Sequence, residues 1–119
     1  MKRVLLTGAD GQVGFELQRS LAGLVCVVAV DRKQLDLSDV TAIAPALDAV
    51  SPDLIINSAA YTAVDHAESE PELAHAVNAV APGELARWAA RHGVAMIHYS
   101  TDYVFDGTKE EAWDETDAP

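Results

Sequence analysis

A single cysteine, Cys26, rules out an internal disulfide and any metal site built from paired thiolates. It falls within Leu24-Val25-Cys26-Val27-Val28, a strand-like run in which a cysteine reads as a small buried apolar residue. Positive charge is equally scarce. Lys and Arg number 8 against 19 Asp and Glu, and the formal net charge of −11 does not suit a surface that tracks a phosphate backbone. Nucleic acid is therefore not an expected partner. Long apolar runs are missing too: none approaches the ~18 residues of a membrane span. The stretch after Met1-Lys2-Arg3 ends at Thr7-Gly8-Ala9-Asp10, short of the ~7–15 apolar residues of a signal peptide. A cytoplasmic chain with no membrane partner is expected. The four histidines, His66, His75, His92 and His98, form no H-x-x-x-H or H-E-x-x-H pattern, so they read as surface or packing residues and no metal ligand is assigned. Asp65/Glu68 and Glu70/Glu72 read as acids near helix N-termini, not as a catalytic carboxylate pair.

Half of the 119 residues are hydrophobic, enough for a real core in one domain or a piece of one. Apolar runs alternate with segments of helical period. Strands are expected at Arg3–Thr7, Val25–Val30, Leu54–Asn57 and Val94–Tyr99, and near-continuous apolar strands suit a parallel sheet buried on both faces. Helices are expected near Gln12–Leu21, Asp39–Ala49 and Pro71–His92, where Leu17, Leu21 and Leu24, or Leu73, Val77 and Val80, share a face. Gly23 and Gly93 stand where helix C-terminal glycines belong, and Ser51-Pro52-Asp53 is a turn before the third strand. The fold expected is α/β: a Rossmann-like, doubly wound parallel sheet, incomplete, with about four strands in the order 3-2-1-4. Glu110, Glu111, Asp114, Glu115 and Asp117 crowd a solvated terminal loop.

Gly8-Ala9-Asp10-Gly11-Gln12-Val13-Gly14 follows a strand and opens a helix. Gly8 permits the tight turn, Gly11 lets the backbone approach a pyrophosphate, and Gly14 allows close packing. The amides at Gln12 and Val13 then face the negative phosphates. Asp31 ends the second strand 17 residues after Gly14, near the place where an acidic residue binds the adenosine ribose diol. A carboxylate there disfavours the 2′-phosphate of NADP, whereas Arg32 and Lys33 would bind it, so NADH and NADPH both stay open. Ala59, Ala60 and Tyr61 follow the third strand, where small residues let the chain pass close to the cofactor riboses.

Gly8-x-x-Gly11-x-x-Gly14, Ala59–Glu68 and Tyr99-Ser100-Thr101-Asp102-Tyr103-Val104-Phe105-Asp106-Gly107 together make the chain resemble the extended short-chain dehydrogenase/reductases, and within them the dTDP-4-dehydrorhamnose reductases. The resemblance runs along essentially the whole chain. It implies NAD(P)H-dependent reduction of the 4-keto group of dTDP-6-deoxy-L-lyxo-4-hexulose to dTDP-L-rhamnose. It makes Thr101 the hydroxyl member of a Ser/Thr–Tyr–Lys triad, puts Thr101 and Asp102 on the sugar and brings Tyr99 near the cofactor. Asp36-Leu37 resembles the acidic-apolar pair that contacts adenine; a helix-capping segment around Leu37-Ser38-Asp39 explains it equally well. Asn78 resembles an asparagine that braces the central sheet, and Trp113, within Trp113-Asp114-Glu115-Thr116-Asp117, resembles a family loop beside the active site and is assigned no role. Homodimerisation and Mg²⁺, through residues outside this chain, are further family traits.

The proton donor of such enzymes is the Tyr of Tyr-x-x-x-Lys, two side chains on one helical face. The residues four after Tyr61, Tyr99 and Tyr103 are Asp65, Tyr103 and Gly107, so the motif is absent. Family spacing puts it beyond Pro119, and residues 1–119 read as the N-terminal portion of an NAD(P)-binding domain, inactive alone. The rival readings are a non-catalytic NADP-binding regulatory subunit of the methionine adenosyltransferase type and an extended-family nucleotide-sugar epimerase or dehydratase. A sheet with an open edge also predicts that these residues alone are marginally stable or self-associated. A cooperative monomeric melt well above ~65 °C would contradict this.

Overall fold

A computed structural model describes residues 1–101 and 103–119. Its elements run β1 (Arg3–Thr7), α1 (Gln12–Leu21), β2 (Cys26–Val30), α2 (Val40–Val50), β3 (Leu54–Asn57), α3 (Val64–Ser69), α4 (Pro71–His75), a π-helical turn (Ala76–Val80), α5 (Ala81–His92) and β4 (Ala95–His98). All four strands are parallel, which gives the expected α/β Rossmann-like sheet.

The strand order is β2-β1-β3-β4, not the expected 3-2-1-4. Crossover handedness and helix placement account for the difference. A right-handed crossover places its helix on one face when the chain moves one way along the sheet and on the other face when it moves back. Here α1 packs through Leu17 and Leu21 on the face of Val4, Leu6 and Ile56. Ile43 and Leu47 of α2 join Leu85 and Trp88 of α5 on the opposite face, over Leu5 and Ile55. Sharing a face, α2 and α5 carry the chain in the same direction, so β3 lands on the far side of β1 from β2. The link out of β2, Asp31 to Asp39, is turns that bury Leu35 and Leu37, and it supplies no strand to sit outside β2.

Several boundaries have visible local causes. Asp39 caps α2 by accepting from the Thr41 amide and hydroxyl (3.1 and 2.6 Å), and Gly93 closes α5 in the left-handed region. The single helix expected over Pro71–His92 is interrupted. Pro82 has no N–H to offer the Asn78 carbonyl, and the turn before it widens so that the Ala81 amide reaches back to Ala76 O. Leu24 lies past the end of α1 and is exposed, not on its buried face. Cys26 is likewise exposed, contrary to its buried reading, because it opens β2 at the sheet edge. No helix among the described residues is long and apolar enough to cross a membrane.

After His98 no described residue joins a helix or strand, but the segment is not a bare solvated loop. Phe105 stacks on Trp113 (centroids 4.6 Å), and Lys109 reaches Asp117 (2.6 Å) while lying 5.7 Å from the Trp113 ring. Core stability should follow burial. Leu85→Ala, at a fully buried position on α5, is expected to cost about 2–5 kcal/mol in urea unfolding of the whole-length protein. Leu24→Ala, at an exposed position, should stay within about 0.5 kcal/mol.

Candidate functional site

Reversal of the winding direction leaves a crevice beyond the carboxyl ends of β1 and β3, the place where open α/β sheets bind ligands. A cavity of about 700 Å³ occupies it, within the ~300–1,000 Å³ usual for ligand pockets. Its floor is the first turn. Gly8 adopts φ +71°, and a Cβ there would meet Ala59 N at 2.7 Å. A Cβ on Gly14 would lie 1.9 Å from Gly8 O, so α1 rests directly on the turn. Gly11 differs: a Cβ there would meet only Gly8 O, at 3.4 Å. Gly11, Gln12 and Val13 line the cavity, and no side chain caps α1 at Gly11. The amides of that first turn therefore remain available to an anion.

The walls come from three other places. Asp31 and Arg32 follow β2, and the Asp31 Oδ1 accepts from the amides of Lys33 (2.9 Å) and Gln34 (3.1 Å), which fixes the turn. Asp36 and Leu37 also line the cavity. Asp36 Oδ1 accepts from the Ser38 hydroxyl (2.6 Å) and amide (3.0 Å), and these two bonds hold the Asp36 carboxyl below the usual carboxylate range. The pair thus faces the cavity and also belongs to the segment that leads into the α2 cap. Ser58, Ala59, Ala60 and Tyr61 form the opposite lip.

That lip is tied down from the helical side. Asn78, on the π-helical turn, accepts from the Tyr61 amide (2.8 Å) and donates to the Tyr61 carbonyl (3.1 Å). Asn78 therefore clamps the loop after β3 and does not brace the sheet itself. The Tyr61 hydroxyl donates to Glu70 (2.6 Å), and this bond pushes the phenol pKa up. Tyr61 is thereby held protonated, a poor candidate for a proton-transfer group. Glu70 stands at the α4 N-cap, as its helix-terminal reading implied, but gives its carboxylate to Tyr61.

The cavity thus gathers Gly8, Gly11, Gln12, Val13, Asp31, Asp36, Leu37, Ala59, Ala60 and Tyr61. Gly14 supports the floor without lining it. Tyr99 and Thr101 lie outside the lining. Tyr99 is partly exposed with its amide donating to Asn57 O (3.4 Å), and the Thr101 hydroxyl accepts from the Tyr103 amide (3.1 Å). Asp102, assigned to the sugar from sequence, lies outside the described residues. Leu35, Leu73 and Val77 were missed as cavity residues; they are apolar side chains from distant segments, and no local pattern marks them. Among the described residues no group of three or more His, Cys, Asp or Glu could hold a metal ion.

The chain matches the RmlD substrate binding domain family over residues 1–119. It is 50% identical over 115 residues to a dTDP-4-dehydrorhamnose reductase of Burkholderia thailandensis, covering 97% of this chain and 39% of that protein. To the dTDP-4-dehydrorhamnose reductase of Salmonella typhimurium it is 49% identical over 119 residues, covering 97% of this chain and 40% of that one. A solved dTDP-4-dehydrorhamnose reductase from Bacillus anthracis, in complex with NADP, superposes with a TM-score of 0.87 at 37% identity, over 99% of this chain and 42% of that one. The chain spans about 40% of the length of the curated relatives it matches.

Two substitutions test the geometry. Gly14→Ala puts a methyl on the Gly8 carbonyl and is expected to lower the melting temperature sharply, whereas Gly11→Ala should leave it nearly unchanged. The Asp36 carboxyl has a lowered folded-state pKa, so its stabilisation is complete above about pH 4 and fades as pH falls through the lowered value. Ser38→Ala removes the larger cause, and a carboxyl NMR titration should show Asp36 moving back up toward its ordinary range.

Proposed function

The chain belongs to the RmlD substrate binding domain family, and from that premise we propose that the whole protein is an NAD(P)H-dependent dTDP-4-dehydrorhamnose reductase. Residues 1–119 would be the cofactor-binding front of it. The observation that carries this reading is the glycine-floored cavity at the winding reversal, whose uncapped helix start suits a diphosphate. The residues fit the dinucleotide by their own chemistry. Gln12 and Val13 offer backbone amides at the start of α1, beside a residue 11 where a Cβ would meet little, and Gly8 and Gly14 keep that turn low. Asp31 and Arg32 stand together at the β2 end, one suited to a ribose diol and the other to a 2′-phosphate. Ala59 and Ala60 keep the opposite lip free of bulk.

A nicotinamide dinucleotide held by the glycine turn, Asp31 and the Ala59–Tyr61 lip would supply hydride chemistry for the ketone. Thr101, on the segment leaving β4, would donate a hydrogen bond to the ketone oxygen, and Asp102 is assigned to the sugar by family resemblance. The proton comes from the Tyr of a Tyr-x-x-x-Lys motif in the remainder of the protein, since Tyr61 is bound to Glu70 and no described tyrosine has a lysine four residues on. On this reading the protein works in the cytoplasm on a dTDP-sugar, with neither nucleic acid nor membrane as partner.

The test is turnover of the whole-length protein. NADPH oxidation should depend on the dTDP-4-keto-6-deoxy sugar and should yield dTDP-L-rhamnose. Tight cofactor binding without such turnover defeats the reading. Thr101→Val is expected to lower kcat about 10²–10³-fold, the usual loss of one donor to a developing oxyanion. Arg32→Ala should raise KM for NADPH about ten- to a hundredfold, the worth of one charge-assisted contact, and leave NADH nearly unaffected.

A further inference from the structure

A polar row crosses the carboxyl ends of three strands directly behind the cavity. Thr7, Asn57 and His98 are the last residues of β1, β3 and β4, and they are register partners. Thr7 and Asn57 are 1% and 0% exposed, and no buried side-chain nitrogen or oxygen among the described residues lacks a partner. The Thr7 hydroxyl donates to Asn57 Oδ1 and accepts from the Ala59 amide (3.4 Å), while the Ser58 hydroxyl donates to the Thr7 carbonyl (2.6 Å). With Oδ1 engaged by a donor, Asn57 presents Nδ2 to His98 Nδ1 at 3.0 Å.

An amide NH₂ only donates. With the amide donating, His98 Nδ1 is the accepting nitrogen of this pair, which corresponds to the tautomer with its proton on Nε2. An imidazolium, or the other tautomer, would set donor against donor at this contact.

The row joins the three segments the reaction needs. Gly8 follows Thr7, the Ser58–Tyr61 lip follows Asn57, and Tyr99 to Thr101 follows His98. Backbone pairing between β3 and β4 is already stretched at this level, with Tyr99 N and Asn57 O at 3.4 Å. The Asn57–His98 bond is thus the last firm tie before the chain turns toward Thr101. Apolar residues would seal the strand ends without the cost of burying polar groups, but they would not fix direction.

We propose that Thr7, Asn57 and His98 form a positioning row that sets the exit of β4, and with it the Thr101 hydroxyl, against the glycine turn, with neutral His98 as its accepting end. The role given to Thr101 rests on the reductase reading; the hydrogen-bond polarity of the row does not.

Nitrogen NMR of the whole-length protein labelled with ¹⁵N-histidine reads the row directly. His98 should carry its proton on Nε2, and Asn57→Asp, which replaces the donor with an acceptor, should move it to Nδ1. In kinetics, His98→Leu should lower kcat about 10–100-fold through misplacement of Thr101, with KM for NADPH unchanged. His98→Asn puts an acceptor close to where Nδ1 stood and should restore most of the rate; His98→Gln reaches instead toward the Nε2 position and should not. The melting temperature of each variant, measured beside the kinetics, separates a loss of fold from misplacement of Thr101, and His98→Asn against His98→Gln does so independently of it. A wild-type proton on Nδ1, or a His98→Leu variant with wild-type kcat, overturns the proposal. If the wild-type protein binds NADPH but reduces no dTDP-sugar, the reductase reading fails alone. The spectrum then decides the row: a proton that moves under Asn57→Asp keeps it, and one that stays removes it.

Discussion

The carbonyl oxygen of Gly8 lies 1.9 Å from the point where a side chain on residue 14 would begin. Nothing but hydrogen fits there, and the absence of that one carbon lets α1 start directly on top of the first turn. Gly8 is under a matching constraint from the other side, because its own missing Cβ lets Ala59 N approach that site to 2.7 Å. One glycine seats the helix and the other seats the loop after β3. Between them they bring a helix N-terminus to a crevice with which the sheet alone would have no polar business. The suitability of the site for an anion follows from this contact, since first-turn amides exert their effect only over short range.

Topology then supplies the second half of the site. Because α1 lies on one face and α2 and α5 on the other, the chain leaves β1 toward β2 and returns past it to β3. Loops after β1 and β3 consequently part in opposite directions, and the space between them cannot be filled by a crossover. The polar row of Thr7 and Asn57 closes the sheet beneath this space, and the Asn78 clamp on Tyr61 closes its rim. The loop after β3 is thereby held at two points, at Ser58 by the Thr7 carbonyl and at Tyr61 by Asn78.

Much of this was legible in the residues. Arg3–Thr7, Gln12–Leu21 and Leu54–Asn57 have the ends their patterns indicate, because each is an apolar or amphipathic run bounded by glycine, proline or a polar break. The glycine turn, Asp31 and Ala59–Tyr61 meet at one cavity for the same reason: each sits just after a strand, where the chain must emerge at the sheet's carboxyl edge. Strand order was not legible. Apolar periodicity fixes which residues are buried but not which side of β1 a later strand joins, and that choice depends on which face accepts α2. Nor was the exposure of Cys26, since an edge strand and a central strand share the same local pattern. Pro82 did carry a usable signal. A proline inside a long helical pattern marks where the i−4 bond fails, and the π-helical turn that delivers Asn78 to Tyr61 is the result.

Asp31 shows why a correct residue need not have the expected freedom. Its position matches a ribose-binding carboxylate, yet Oδ1 already accepts from two amides of the turn it begins. A carboxylate has about four lone-pair sites, so this engagement still leaves acceptor capacity for a diol. The turn also does something for its neighbour. By fixing the backbone at Lys33 and Gln34 it leaves Arg32 at the cavity wall beside Asp31, where a guanidinium offers a planar fork that suits a phosphate. The same short turn thus carries an acceptor for a hydroxyl pair and a donor for a phosphate. Toward a 2′-phosphate the two side chains act in opposite senses, Arg32 attracting it and Asp31 repelling it.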